Sequence, residues 1–206
     1  MKTAPSIGLG AAIGVLLLLA AGCVDLGPGT ASPTRLYVLA PLEAGEAGVD
    51  HDRLKAASLG VGPLSFPEYL NRPQIVTRVG DSEIRAADFA NWGEPLQRNF
   101  LGVLTTNLTL LLRSDAVYAH PWRSSLRPAY RLEVAVLRFD ADSRGEAVLT
   151  VSWEILDKGG RQVRPRKRAV FRETVGEGDY PAVVGAMSRA LANFSRDLAA
   201  EIATLP

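Results

Sequence analysis

Residues Ala129–Arg172 read "AYRLEVAVLRFDADSRGEAVLTVSWEILDKGGRQVRPRKRAVFR", and their alternation decides the fold. Tyr130, Leu132, Val134 and Val136 alternate with Arg131, Glu133 and Ala135, and Ala147, Leu149, Val151, Trp153 and Ile155 alternate with Thr150, Ser152 and Glu154. Successive side chains of a strand point to opposite faces, so period two with one apolar face describes half-buried antiparallel strands. "DSRG" and "DKGG" punctuate the run, which is therefore predicted to be a three-stranded meander. Arg164, Arg166, Arg168 and Arg172 close it. At strand spacing these arginines are predicted to share a face, either to meet anionic lipid head groups or an acidic partner, or as a solvated row paired with neighbouring acids. Pro165 marks an edge strand or a bulge, and an exposed edge offers pairing to another subunit, a second copy of the chain included.

Such a sheet needs something apolar laid on it, and two segments supply it. Leu96, Phe100, Leu104, Leu108 and Leu111 recur at helical spacing behind Pro95, which sits in the first turn where its missing N–H costs nothing. Met187, Leu191, Phe194, Leu198 and Ile202 form a second stripe, with Asp179 a plausible N-cap and Pro181 just inside. Shorter strand signals lie at Arg35–Leu39 and Ala57–Leu64, and Gln74–Arg78 with Glu83–Arg85 flank a "GDS" turn as a hairpin. The predicted class is α+β: a mixed or mainly antiparallel sheet with two long helices packed on one face. "EAGEAGVDHDR", Glu43–Arg53, reads as a surface loop.

The start of the chain is different in kind. Lys2 is the only charge before Asp25, and Ile7–Gly22 is apolar or small. That run is short for a membrane span, which wants about 20 predominantly apolar residues, and it has the shape of an export signal. Ala20-Ala21-Gly22 directly before Cys23 resembles the bacterial lipoprotein box, although Ala20 stands where Leu is usual. In such boxes the thiol takes a diacylglyceryl group, the chain is cut before the cysteine and the new amine is acylated. An ordinary cleaved signal and a short uncleaved anchor are the competing readings. Cys23 is the only cysteine, so the domain gains no disulfide and must hold by its core.

Residues 1–22 are thus read as the signal, 23–34 as the lipidated cysteine and a Gly/Pro/Ser/Thr-rich tether, and 35–206 as one domain. Val24, rather than Asp, follows Cys23. By the enterobacterial sorting rule this favours the periplasmic face of the outer membrane.

Lys+Arg number 23 against 22 Asp+Glu, a balance with no electrostatic footprint for nucleic acid. Catalysis finds little material. The chain has two histidines, His51 in a "DHD" loop and His120 before Pro121-Trp122. Both read more simply as surface or packed residues than as metal ligands. No nucleophile elbow, phosphate loop or HExxH motif occurs, and an acylated Cys23 is no nucleophile. No enzyme activity, cofactor or metal is expected.

"FPEYLNRP", Phe66–Pro73, mixes aromatics, prolines and an arginine between two strands. Tyr69, Leu70 and Arg72 are candidate anchors of a partner interface, being near the residue types that dominate hot spots. The plainer alternative is that Tyr69 and Leu70 cap the core.

The motifs Val61-Gly62-Pro63, Pro67, Tyr69-Leu70, Arg72–Arg78 and Trp92 followed by Glu94-Pro95-Leu96 resemble the PqiC-like ABC-type transport auxiliary lipoproteins. Pro121-Trp122, Tyr130-Arg131, Arg138-Phe139-Asp140 and the final helix fit the same pattern, while Asn71 and Gly93 depart from the expected Asp and Ala. The resemblance implies a partner role. Such lipoproteins accompany MCE-domain proteins that move lipid between the inner and outer membranes. These work with either an ABC permease and ATPase or a Pqi-type multipass protein, and support membrane integrity. An envelope scaffold or cell-wall-binding lipoprotein shares the anchor and tether and is the alternative.

Overall fold

The computed structural model describes residues 33–43, 45, 58–177 and 179–206; the signal, Cys23, nearly all of the tether and His51 lie outside them. In chain order the elements are β1 (Arg35–Tyr37), β2 (Leu59–Ser65), β3 (Gln74–Arg78), β4 (Ile84–Trp92), α1 (Leu96–Leu112), β5 (Val117–Ala119), β6 (Tyr130–Asp142), β7 (Glu146–Asp157), β8 (Gln162–Thr174) and α2 (Tyr180–Ile202). Among the described residues eight strands form one mixed sheet. The meander is present as β6–β7–β8, antiparallel throughout.

β6 is the axis of the sheet. One side pairs with β7, while the other is shared: β2 runs parallel to Tyr130–Ala135, and β3 runs parallel to Ala141–Asp142. β5 adds parallel to β2, β4 antiparallel to β3 and β1 parallel to β4. The sheet therefore forks alongside β6, and the segment joining β2 to β3 fills the fork. This parallel wiring is invisible to local periodicity.

Both helices lie on one face, as the stripes require. All ten stripe residues are buried, each side chain contributing about 1.5–3 kcal/mol relative to exposure. The α2 stripe meets the sheet through Phe194, whose ring lies 5.3 Å from Trp153 and 5.6 Å from Phe171. Asp179 occupies the N-cap position, without a side-chain capping bond. α1 ends at Arg113 in the left-handed region, φ 49°, where glycine is the usual residue.

Buried amides tie the N-terminal segment to the helices. Asn99 Oδ1 accepts from Leu39 N–H at 2.7 Å, and Asn107 Oδ1 accepts from Leu42 N–H at 2.8 Å while its own Nδ2 donates to Ser195 Oγ. Unpaired backbone donors would be costly here, so two polar residues inside a helix's buried face have a plain physical reason.

The register corrects one expectation. Between Trp153 and Ile155 the β7–β8 pairing slips, with Lys167 opposite Trp153 and Arg164 opposite Ile155. The extra residue is spent around Pro165, and a bulge reverses the side on which preceding side chains emerge. Arg164 therefore does not join the other arginines. It turns to the helix side, donating to the Thr204 carbonyl at 2.8 Å.

Candidate functional site

The fork filler is the "FPEYLNRP" loop. Glu68–Leu70 makes one 3₁₀ turn, closed by Leu70 N–H to the Pro67 carbonyl at 3.0 Å. Opposite it, β6 carries its own bulge: Val136 pairs with Val151 and Arg138 with Thr150, leaving Leu137 extra. The slip turns Phe139 inward and Asp140 toward the loop. Phe139 stacks edge-on against Phe100 at 5.3 Å, with Phe66 from the loop 5.3 Å from Phe100.

Asp140 is fully buried and is the hub of a charged cluster. Tyr69 Oη donates to its Oδ2 at 2.8 Å, Arg78 Nη2 to the same oxygen at 3.3 Å and Arg138 Nε to Oδ1 at 2.7 Å. Arg78 also lies over the Tyr69 ring, 5.8 Å from its centroid. A buried carboxylate is tolerable only when paired and hydrogen-bonded like this. Burial and the Asp140 charge push the Tyr69 phenol up to about 12, so it remains a proton donor.

Asp142 extends the cluster through Arg138 at 3.3 Å. Burial opposes its charge, but N–H groups of Arg144 and Glu146 together with Arg138 hold the carboxyl below its usual range.

Two of the three anchor candidates are thereby accounted for by the fold. Leu70 is buried in the core, and Tyr69 is half-buried on Asp140. Arg72 alone of the three is exposed. The plainer reading holds for Tyr69 and Leu70, because the fork leaves a gap that only this loop closes.

What the loop does present is a groove of about 410 Å³ between itself and the Trp92–Gln97 turn, lined by Phe66, Leu70, Arg72, Pro73, Trp92 and Pro95 among others. Trp92 N–H donates to the Pro73 carbonyl at 2.7 Å, and Gln97 Nε2 to the Leu64 carbonyl at 2.7 Å, so both walls are fixed. Across Pro95 and Gln97 a second hollow of about 470 Å³ is walled by Pro63, Leu64, Leu101, His120 and Pro121. Together they form one trough over the first turn of α1.

His120 is an exposed residue on the trough wall. Gly62 has φ +115°, and a Cβ there would fall 2.6 Å from His120 Cβ, so the glycine is what lets the imidazole lie against β2. Its ring stands edge-on to Trp122 at 5.2 Å. Among the described residues no group of three His, Cys, Asp or Glu is placed to hold a metal ion.

The basic row is largely neutralised. Arg166 bonds Glu154 and Arg172 reaches Glu146 at 3.2 Å, while Lys167, on the helix side opposite Trp153, reaches Glu201 at 3.1 Å. Arg168 has no partner among the described residues. The solvated, acid-paired reading thus describes most of the row.

A signal for the Asp140 cluster exists in the sequence. Apolar residues occupy even positions through Val136 and odd positions from Phe139, the phase change a one-residue bulge produces.

With that geometry in place, the comparisons are informative. The family model described as "ABC-type transport auxiliary lipoprotein component" matches residues 37–199. No curated protein sequence matches the chain. Among solved structures, a DUF330-family protein from Xanthomonas campestris superposes with a TM-score of 0.67 at 19% identity, covering 82% of this chain and 94% of that one. An uncharacterized protein superposes with a TM-score of 0.68 at 20% identity, covering 82% and 99%. At such identities the likeness shows the fold alone.

Proposed function

The chain belongs to the ABC-type transport auxiliary lipoprotein family, and on that premise we propose that it is the non-catalytic lipoprotein subunit of an MCE-type intermembrane lipid transport system. Cys23 carries the lipid, the tether holds the domain at the periplasmic face of the outer membrane, and the domain docks the MCE component that reaches across from its inner-membrane transporter. The trough over α1 is the docking face.

One observation carries this reading. Motif residues far apart in sequence, Pro63, Phe66 with Leu70–Pro73, Trp92–Leu96 and Pro121, come together as the walls of one mainly apolar trough. The Asp140 cluster stiffens one wall, with Asp140 itself fully buried. Rigid apolar walls with a polar rim suit a protein partner. No helix among the described residues is long and apolar enough to cross a membrane; in this reading the lipid on Cys23 supplies the membrane attachment.

Affinity capture of the full-length lipoprotein from its native membrane, followed by mass spectrometry, tests the assignment. An MCE-domain protein with its inner-membrane transporter is the expected catch. Recovery of cell-wall components without any MCE protein would replace this reading with the envelope-scaffold one.

A further inference from the structure

Three large apolar side chains stand in solvent on one patch: Leu36 at 68% exposure, Val38 at 57% and Phe89 at 50%. Pairing explains why they share a side. Leu36 lies opposite Asn91 and Tyr37 opposite Trp92, while Ala90 and Trp92 are buried, so alternation turns Leu36, Val38 and Phe89 to the outer face. β1 is an edge of the sheet. Isolated exposed apolar residues are ordinary, but a cluster on one face marks a contact surface.

Chain connectivity says which surface. The patch begins at the point where the tether enters the domain, and Cys23 lies only twelve residues before Arg35. Even fully extended, that length spans roughly 40 Å, so a lipid on Cys23 confines β1 to the neighbourhood of the bilayer. Resting on the lipidation of Cys23, we propose that Leu36, Val38 and Phe89 form a membrane-docking face that seats the β1–β4 edge at the boundary between lipid head groups and acyl chains.

A lipid anchor alone leaves a domain free to swing, whereas an apolar face partitioned into the interface fixes its orientation. The consequence reaches the trough. Gly93 belongs to the trough wall, and a Cβ on it would lie 3.2 Å from Val38 Cγ1. Seating the patch therefore holds that end of the trough next to the membrane surface.

The test uses the full lipidated protein in phosphatidylethanolamine–phosphatidylglycerol vesicles. Leu36→Cys, Val38→Cys, Phe89→Cys and, as control, Lys158→Cys in the β7–β8 turn each provide one thiol for an environment-sensitive fluorophore, since an acylated Cys23 takes none. Lipids bearing shallow nitroxides are expected to quench the first three labels at least threefold more than the Lys158 site. Equal quenching at all four sites, with the parent protein refusing label, would overturn the docking face and leave the lipoprotein reading intact. Emission that follows the protein-to-lipid ratio but ignores the nitroxides would assign the patch to a second copy instead. A parent protein that takes the label at Cys23 would remove the premise and the proposal together.

Discussion

Tyr69 donates a 2.8 Å hydrogen bond to Asp140, 71 residues further along the chain, and that carboxylate has no solvent exposure. The bond fastens the motif loop to the one strand that both halves of the forked sheet share. Tyr69 thus belongs to the support of the trough rather than to its contact surface.

Tyr69→Phe is expected to cost about 1.5–3 kcal/mol, the worth of a hydrogen bond to a charged group. In thermal unfolding that is a fall of roughly 4–10 °C for a domain of this size. Asp140→Ala should cost more, about 3–5 kcal/mol, because it strands Arg78 and Arg138.

The raised phenol predicts an alkaline signature. With the folded value up from 10.0 to about 12, the folded state holds this proton more tightly than the unfolded one. Its contribution is full below about pH 10 and is lost as pH rises toward about 12. Denaturant titrations at pH 8 and pH 11 should show a loss of stability that Tyr69→Phe reduces. An equal loss in both proteins would contradict the assignment.

Asn107→Leu leaves the Leu42 N–H without its acceptor in a buried site, and about 2 kcal/mol should be lost. Thr106→Ala, on the exposed side of the same helix, should stay within about 0.5 kcal/mol. Chemical denaturation of the two variants decides it.

Arg113 closes α1 at φ 49°. Arg113→Gly removes the left-handed penalty for a side chain and is expected to stabilise by up to about 1 kcal/mol. A lower melting temperature would show that Arg113 has a compensating role.

Cys23→Ala should abolish palmitate incorporation and release the protein from the membrane fraction. Normal labelling of that variant would end the lipoprotein assignment.

The helices and the meander are legible because each stripe and each alternation runs unbroken for several turns or pairs. β5 is not, being three residues without a period. β4 is longer than its first residues suggest because the β3–β4 register breaks between Gln74 and Val76, hiding the alternation of Ala86–Asn91. The face of Arg164 is misread for the same physical reason: one extra residue at Pro165 inverts every side chain beyond it. The trough is legible only as scattered motifs, since nothing local says that Phe66–Pro73 and Trp92–Leu96 face each other.

The docking face is the central claim, and capture of the MCE-type partner by folded variants tests it most directly. Asn71→Trp with Arg72→Glu alters exposed positions on the trough, and Arg166→Ala with Arg168→Ala alters the basic strand; both must first melt like the parent protein. Rim contacts of exposed charges are worth about 0–1 kcal/mol and fade with salt, while blocking an apolar groove removes its anchors. At moderate salt the trough variant should lose at least tenfold in captured partner and the strand variant less than threefold. Normal capture by the trough variant, with loss in the strand variant, would move the interface to β8 and contradict the account.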